Sequence, residues 1–248
     1  VSLNAGVEDK HWWFKARRNI NRRLLLRFMR GEIKHLVEIG CGTGGNLRLL
    51  SRHAEKVTGV DVSQDAVEYA RERVEGDILQ GDFRLELKEK WQDIDVVLLA
   101  DVLEHVDDDV SFLGDIIQSL KPGALIIITV PAHKILWSNH DVALGHKRRY
   151  QQAMLQRLWK NQPAKQLFFS PFNFVLSPLV FMNRLLQSKQ ENTQQSDLKE
   201  HSVLVNALLY FLFNLESKWL QFFSLPWGCS YAAVLRVKGN GNGKTTEK

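Results

Sequence analysis

The densest chemistry in the sequence lies in the stretch Leu36–Leu47, where a short apolar run carrying one acid, Glu38, meets glycines at 40, 42, 44 and 45. Glycine lets the backbone turn sharply and lets a ligand approach where any Cβ would collide, and the helix that follows presents unpaired N–H groups. That is a nucleotide-cofactor loop. The spacing Gly40-x-Gly42-x-x-Gly45 fits a dinucleotide fingerprint, with Asp61 following about 20 residues after the first glycine, where an acid binds ribose hydroxyls. Glu38 argues for something else. An acid inside the strand repels a pyrophosphate and attracts a cationic, zwitterionic cofactor.

A second cluster crowds positions 133–150. His140 and His146 have the side-chain type for acid/base work, and Arg148 and Arg149 could hold an anionic substrate, with Trp137, Asp141 and Tyr150 beside them. Histidines and an aspartate together invite zinc, but their spacings fit no metal pattern, so no metal is expected.

Alternating elements must position these groups. Leu36–Ile39 reads as a strand running into the glycine turn, and a helical pattern begins at Leu47. Lys56–Asp61 is a second strand ending in an acid, followed by a helix over Gln64–Val74 with Ala66, Val67, Ala70 and Val74 inward. Asp77–Gln80 is a third strand, Ile94–Ala100 a fourth, and Leu125–Pro131 a fifth, buried and too short to span a bilayer. Asp107–Asp109 cap and open a helix that ends at Leu120. Lys165–Ser170 and Cys229–Val237 complete seven strands. The fold expected is α/β, a doubly wound, mostly parallel sheet with right-handed crossovers and a helical insertion before the last strand.

Val37–Gly44 resembles motif I of the class I S-adenosylmethionine-dependent methyltransferases. Further landmarks agree in order: Asp61 ending the second strand, Gly81-Asp82 after the third, Asp101 to His105 after the fourth, and Lys121-Pro122-Gly123 before the fifth. The resemblance implies S-adenosyl-L-methionine as cofactor. It implies contacts from Glu38, Gly40, Cys41 and Gly42, ribose held by Asp61 beside Val62, and adenine bonded by Asp82 and lined by Phe83. Ala100 and Asp101 would meet the methionine end, and Arg17 or Arg18 would pair with its carboxylate. His105 is read as a residue that orients its turn. The whole chain, from the aromatic and arginine-rich start to the apolar tail, is similar to a bacterial group of methyltransferases whose acceptors are mostly unassigned.

The remaining chain sets the domain plan. Residues 1–30 hold a basic helix from His11 to about Arg30, with Ile20, Leu24 and Phe28 on one face, expected over the cofactor site. Residues 31–170 are the cofactor core, 171–226 an apolar helical insertion, 227–238 the last strand and 239–248 a disordered tail. Gln187–Glu200 reads as flexible. Neither apolar run of the insertion reaches ~20 uninterrupted residues, so a membrane span is not expected. Its helices must still bury against each other, a second copy of the chain, a membrane surface or a lipid-like acceptor.

A net charge of +5 is too small to demand nucleic acid. Only Cys41 and Cys229 occur, so no disulfide framework forms. Glu8, Asp9, His11 and the arginines interrupt any signal-peptide pattern at the start, the absence of an initial Met points to a trimmed or engineered start, and the expected location is cytoplasmic, with membrane association through the insertion as one option. The function expected is methyl transfer to a small-molecule, lipid-linked or sugar-type acceptor. Two alternatives stay open on sequence alone: an NAD-dependent oxidoreductase on the same loop, and a non-catalytic adenosyl-binding module at a membrane surface.

Overall fold

The structure, a computed structural model, describes residues 8–187 and 202–239. The expectations for the extreme N-terminus, for most of Gln187–Glu200 and for the tail after Gly239 lie outside the described residues.

Seven strands form one sheet in the order β3-β2-β1-β4-β5-β7-β6: β1 His35–Ile39, β2 Lys56–Asp61, β3 Asp77–Gln80, β4 Val96–Ala100, β5 Leu125–Pro131, β6 Ala164–Phe172 and β7 Ser230–Val237. β1 to β5 are parallel, and β7 runs antiparallel between β5 and β6. The α/β expectation holds, and the last strand, β7, lies inside the sheet between β5 and β6. Its residues Ser230–Val237 are buried almost throughout, and an edge position would leave such an apolar strand one unpaired ladder. β6 also runs two residues past Ser170, because Phe172 still pairs with Ser230.

Alternation in β4 shows why the sheet needs two covers. Val97 and Leu99 face one core with Phe83, Leu113, Ile116 and Tyr150, whereas Val96 and Leu98 face the other with Ala16, Ile20, Leu24 and Leu47. All four strand residues are fully buried, each stabilising the fold by roughly 1.5–3 kcal/mol. The helix after β2, Gln64–Arg71, is capped by the Ser63 side chain and stops three residues short of Val74, which is buried nonetheless. The helix Asp109–Ser119 is capped by Asp108 as expected.

The N-terminal helix Trp12–Phe28 lies on the second face and buries Ala16, Ile20, Leu24 and Leu25. The insertion forms helices Ser177–Gln187 and Val203–Trp219, and the latter packs along the N-terminal helix. Among the described residues no helix is long and apolar enough to cross a membrane.

One buried acid ties the insertion to the sheet. The Glu216 carboxylate, on the helix Val203–Trp219, accepts backbone N–H bonds from Asn173, from Phe174 at 2.9 Å and from Val175 at 3.3 Å, where the chain leaves β6. Burial pushes that carboxyl up to about 7, against the pull of the three N–H donors. Replacing Glu216 by Ala leaves buried donors without an acceptor. The expected cost in a urea unfolding curve is roughly 2–3 kcal/mol, and a cost below about 0.5 would contradict the assignment.

Candidate functional site

The strand order reverses between β1 and β4, so the helices that follow them leave to opposite faces and a crevice opens at their carboxyl ends. The glycine turn sits at this point. Gly40, Gly42 and Gly44 have φ of +72°, +53° and +79°, a region L side chains rarely adopt. A Cβ on Gly40 would lie 2.6 Å from Val102 after β4, whereas one on Gly42 would meet nothing within 4 Å. The first glycine is required by packing, the second leaves open space beside the turn. Cys41 between them is buried, and burial pushes its thiol up, so it is no thiolate.

Two acids frame the turn. Asp61, at the end of β2, accepts from Gly42 N at 2.8 Å through one oxygen and from Ser63 N at 2.9 Å through the other. These bonds fix its carboxylate beside the turn, next to the exposed Val62. Glu38 is 1% exposed in the middle of β1. Asn46 donates to its Oε1 at 2.7 Å, and Asn21 of the N-terminal helix in turn donates to Asn46 at 3.1 Å. Glu38 Oε2 has no partner. Burial pushes the carboxyl up to about 8; the Asn46 bond opposes this, and the charges of Glu8 and Asp61 add to it. An orphaned buried carboxylate oxygen beside open glycine backbone fits a ligand that brings positive charge.

Arg17 reaches the opposite wall of the crevice. Its guanidinium pairs with Asp101, lies about 5 Å from the ring centroids of Trp13 and Phe172, and donates to Ser230 Oγ at 3.5 Å. Asp101 follows Ala100 at the end of β4 with φ +57°, an uncommon conformation for an aspartate, held by its N–H to Thr129 O at 2.9 Å. Arg17, Ala100 and Asp101 thus come together at the end of β4, with the guanidinium held by Asp101. Arg18 turns the other way and pairs with Glu8 at 3.3 Å, while the Glu8 carboxylate also accepts from Thr43 of the glycine turn. Glu8, Asn21, Asn46 and Ser230 were not singled out in the sequence. Of these only Asn46, one residue past the glycines, carried a local signal.

Asp82 caps the short helix Phe83–Glu86 and accepts from Arg84 N at 2.9 Å, with half its side chain exposed at the crevice side of β3. Phe83 is not an open pocket wall. Its ring packs edge-on against Trp91 and Phe112 inside the first core, where an apolar ring loses least by leaving water.

The loop 133–150 corrects several expectations. Asp141 is fully buried and accepts from His146 Nδ1 and Arg149 Nε, both at 2.8 Å, and from Ser138 N at 2.9 Å. Burial alone would raise its carboxyl, but these bonds hold it at about 2. It is a folding anchor, since a buried anion with this many donors has no face left for substrate. His146 and Arg149 are committed to it. Tyr150 is fully buried, with its hydroxyl on Leu103 O at 3.0 Å and on Asp109 Oδ2 at 2.6 Å, so it too braces the loop. Arg148 pairs with Asp109 at 2.7 Å. Trp137 is partly exposed, and His140 lies in the short helix Asn139–Ala143.

Glu104, His105 and His146 place their ligand-type atoms within 4.8 Å of one another. Glu104 is fully buried with both carboxylate oxygens unpartnered, and burial, then the Asp101 charge, raises its carboxyl well above the usual range while Arg17 and Arg149 pull it down. The His105 ring packs edge-on against His146, and burial lowers its pKa.

Residues 37–128 match the family model described as a methyltransferase domain. A "probable S-adenosylmethionine-dependent methyltransferase" of Mycolicibacterium smegmatis is 28% identical over 156 residues, covering 62% of this chain and 59% of that protein. A ubiquinone biosynthesis O-methyltransferase of Coxiella burnetii is 26% identical over 130 residues, 48% of this chain and 56% of that one. The chain spans less than two thirds of the length of these relatives. The solved plantazolicin methyltransferase BpumL in complex with SAH superposes with a TM-score of 0.61 over 96% of this chain and 90% of that one, at 11% identity, a likeness of fold. Residues 37–128 therefore resemble a methyltransferase domain in sequence, and the chain shares the fold of a solved methyltransferase. S-adenosylmethionine is the cofactor that the name of the first of these relatives carries.

Two outcomes follow. Burial holds Glu38 protonated near neutrality, and a ligand that brought an ammonium beside it would favour its carboxylate and release a proton. S-adenosylhomocysteine should therefore bind roughly tenfold or more tightly at pH 7.5 than at pH 6, and Glu38→Gln should flatten that dependence. Calorimetry in buffers of different ionisation heat reads both; equal affinity across that range would refute the role. Tyr150→Phe should cost roughly 1–2 kcal/mol of stability in thermal unfolding and leave cofactor affinity unchanged.

Proposed function

We propose that the protein transfers the methyl group of S-adenosylmethionine to a hydroxyl or amine on a small acceptor with an apolar body, of ring or lipid-linked type. The observation that supports this acceptor class is an aromatic enclosure where the chain leaves β5. Phe181 of the insertion stacks on Trp227 with ring centroids 4.6 Å apart, and the His133 ring lies 6.0 Å from Trp227 and 5.5 Å from Tyr231. Tyr231 follows Ser230, the residue Arg17 touches at the cofactor crevice.

His133 has the properties of a proton acceptor in that enclosure. Its φ is +60°, a strained value for a histidine, and its Nε2 is buried without a partner. Burial lowers its pKa against a hydrogen bond to the Gly228 backbone, so the ring is neutral and its bare nitrogen can take a proton. His133 replaces His140 and His146 as the base in this reading, because His146 is held by Asp141. Arg148 and Arg149 are spent on Asp109 and Asp141, which disfavours a sugar phosphate.

The cofactor supplies an electrophilic methyl group and needs no covalent help from the protein. The chain's residues then do three things: Glu38, Asp61 and the Arg17–Asp101 pair orient, the aromatic rings exclude water and align the acceptor, and His133 accepts the proton released on attack. An oxidoreductase reading gains no support, since Glu38 opposes a pyrophosphate.

The test is a set of alkyl-chain phenols and alcohols offered with methyl-labelled S-adenosylmethionine. Labelled product is expected from members with an apolar tail, and His133→Ala should lower kcat by roughly 100-fold or more while cofactor affinity holds. Labelling of a tail-less sugar phosphate in their place would overturn the acceptor class, and a His133→Ala enzyme of full kcat would overturn the base.

A further inference from the structure

The helix Val203–Trp219 is amphipathic in the reverse sense. Asn206, Tyr210, Asn214, Glu216 and Ser217 all face the protein: Asn206 Oδ1 accepts from Trp12 N at 2.9 Å, Asn19 donates to Tyr210 Oη at 2.9 Å and to Asn214 Oδ1 at 3.1 Å, and Glu216 and Ser217 are buried. Leu204, Leu208, Phe211, Leu215 and Trp219, spaced four, three, four and four residues apart, form one stripe on the opposite face. Each is more than 40% exposed. Phe222 and Phe223, just after the helix, extend it. A continuous apolar stripe on the outside of a helix whose polar groups point inward needs a cover.

The flank of the stripe says which cover. The N-terminal helix Trp12–Phe28 carries Lys15, Arg17, Arg18, Arg22, Arg23 and Arg27 and no acid. Arg17 and Arg18 are spent on Asp101 and Glu8. Arg23 and Arg27 lie beside the end of the stripe, where they donate to Gln221 Oε1 at 2.8 Å and to Leu220 O at 2.7 Å. These partners are neutral, so the positive charge is not compensated. Exposed Lys15 lies on the same row eight residues before Arg23, and exposed Lys218 stands on the outer helix next to Trp219.

We propose that this face docks on an anionic lipid surface, with the stripe at the level of the acyl chains and the cationic row against the headgroups. The arrangement is that of an interfacial helix, with Trp219 at the boundary between apolar and polar zones. A two-fold dimer through the same face would bring two uncompensated cationic rows together, which anionic headgroups instead neutralise. Exposed Phe174 and Val175 belong to the same assembly, because Glu216 holds that turn where β6 ends at the cofactor edge of the sheet. Docking would therefore set the mouth of the site near the bilayer.

Co-sedimentation with vesicles of phosphatidylcholine containing 30% phosphatidylglycerol tests this. The full chain should pellet with them, and at least tenfold less with pure phosphatidylcholine or at high salt. Phe211→Ser with Leu215→Ser, and separately Lys15→Glu with Lys218→Glu, should each weaken pelleting at least tenfold. Unchanged melting and unchanged S-adenosylhomocysteine affinity would show both variants folded. A wild-type chain that stays in the supernatant overturns the proposal, as does pelleting that survives both variants. So does a wild-type dimer in solution that the Phe211/Leu215 variant converts to monomer. Loss of S-adenosylhomocysteine binding by the wild type would instead count against the methyltransferase reading and leave vesicle binding to be judged by itself.

Discussion

Glu38 keeps a carboxyl in the centre of a fully buried strand, and the corner of the sheet around it is arranged to make that tolerable. A lone ionised acid there would cost several kcal/mol, so the group is held neutral by burial and anchored through Asn46 to Asn21. That chain of amides joins β1, the helix after the glycine turn and the N-terminal helix. One oxygen is left over, facing no donor of its own. A polar group kept buried and incomplete is a poor choice for stability and a sensible one for recognising a cation.

The rest of the site depends on this arrangement in an ordered way. Asp61 fixes the turn through the N–H of Gly42, whose φ of +53° a residue with a side chain rarely adopts. The N-terminal helix, held down by Asn21, brings Arg17 to Asp101 at the end of β4. A buried carboxyl short of one donor therefore lies on one side of the crevice and the Arg17–Asp101 ion pair on the other. A zwitterionic cofactor fits such a pair of walls, whereas a pyrophosphate would meet Glu38 and Asp61 on one side.

Much of the fold was legible because parallel strands announce themselves as apolar runs, and the turn, the acids ending the strands and the capping Asp108 carry local chemistry. The loop 133–150 was misread for the opposite reason. Tyr150, Asp141 and Arg149 have the residue types of a binding site, and only three-dimensional pairing with Asp109, His146 and Leu103 reveals them as a brace. Glu216 and the Asn21–Asn46 link were invisible because their partners lie far along the chain and leave no periodic trace. His133 stood in the right cluster, but its bare nitrogen and strained φ are properties of the folded state. The insertion showed its apolarity in sequence and hid which face was outward.

The central claim is that this corner reads a cation-bearing adenosyl cofactor. Calorimetric titration of the free protein with S-adenosylmethionine and, separately, with NAD measures it most directly. The account predicts saturable binding of S-adenosylmethionine at one site per chain, with NAD at least 100-fold weaker and Asp61→Ala weakening the former at least tenfold. Tighter binding of NAD, or S-adenosylmethionine binding indifferent to Asp61, would contradict it.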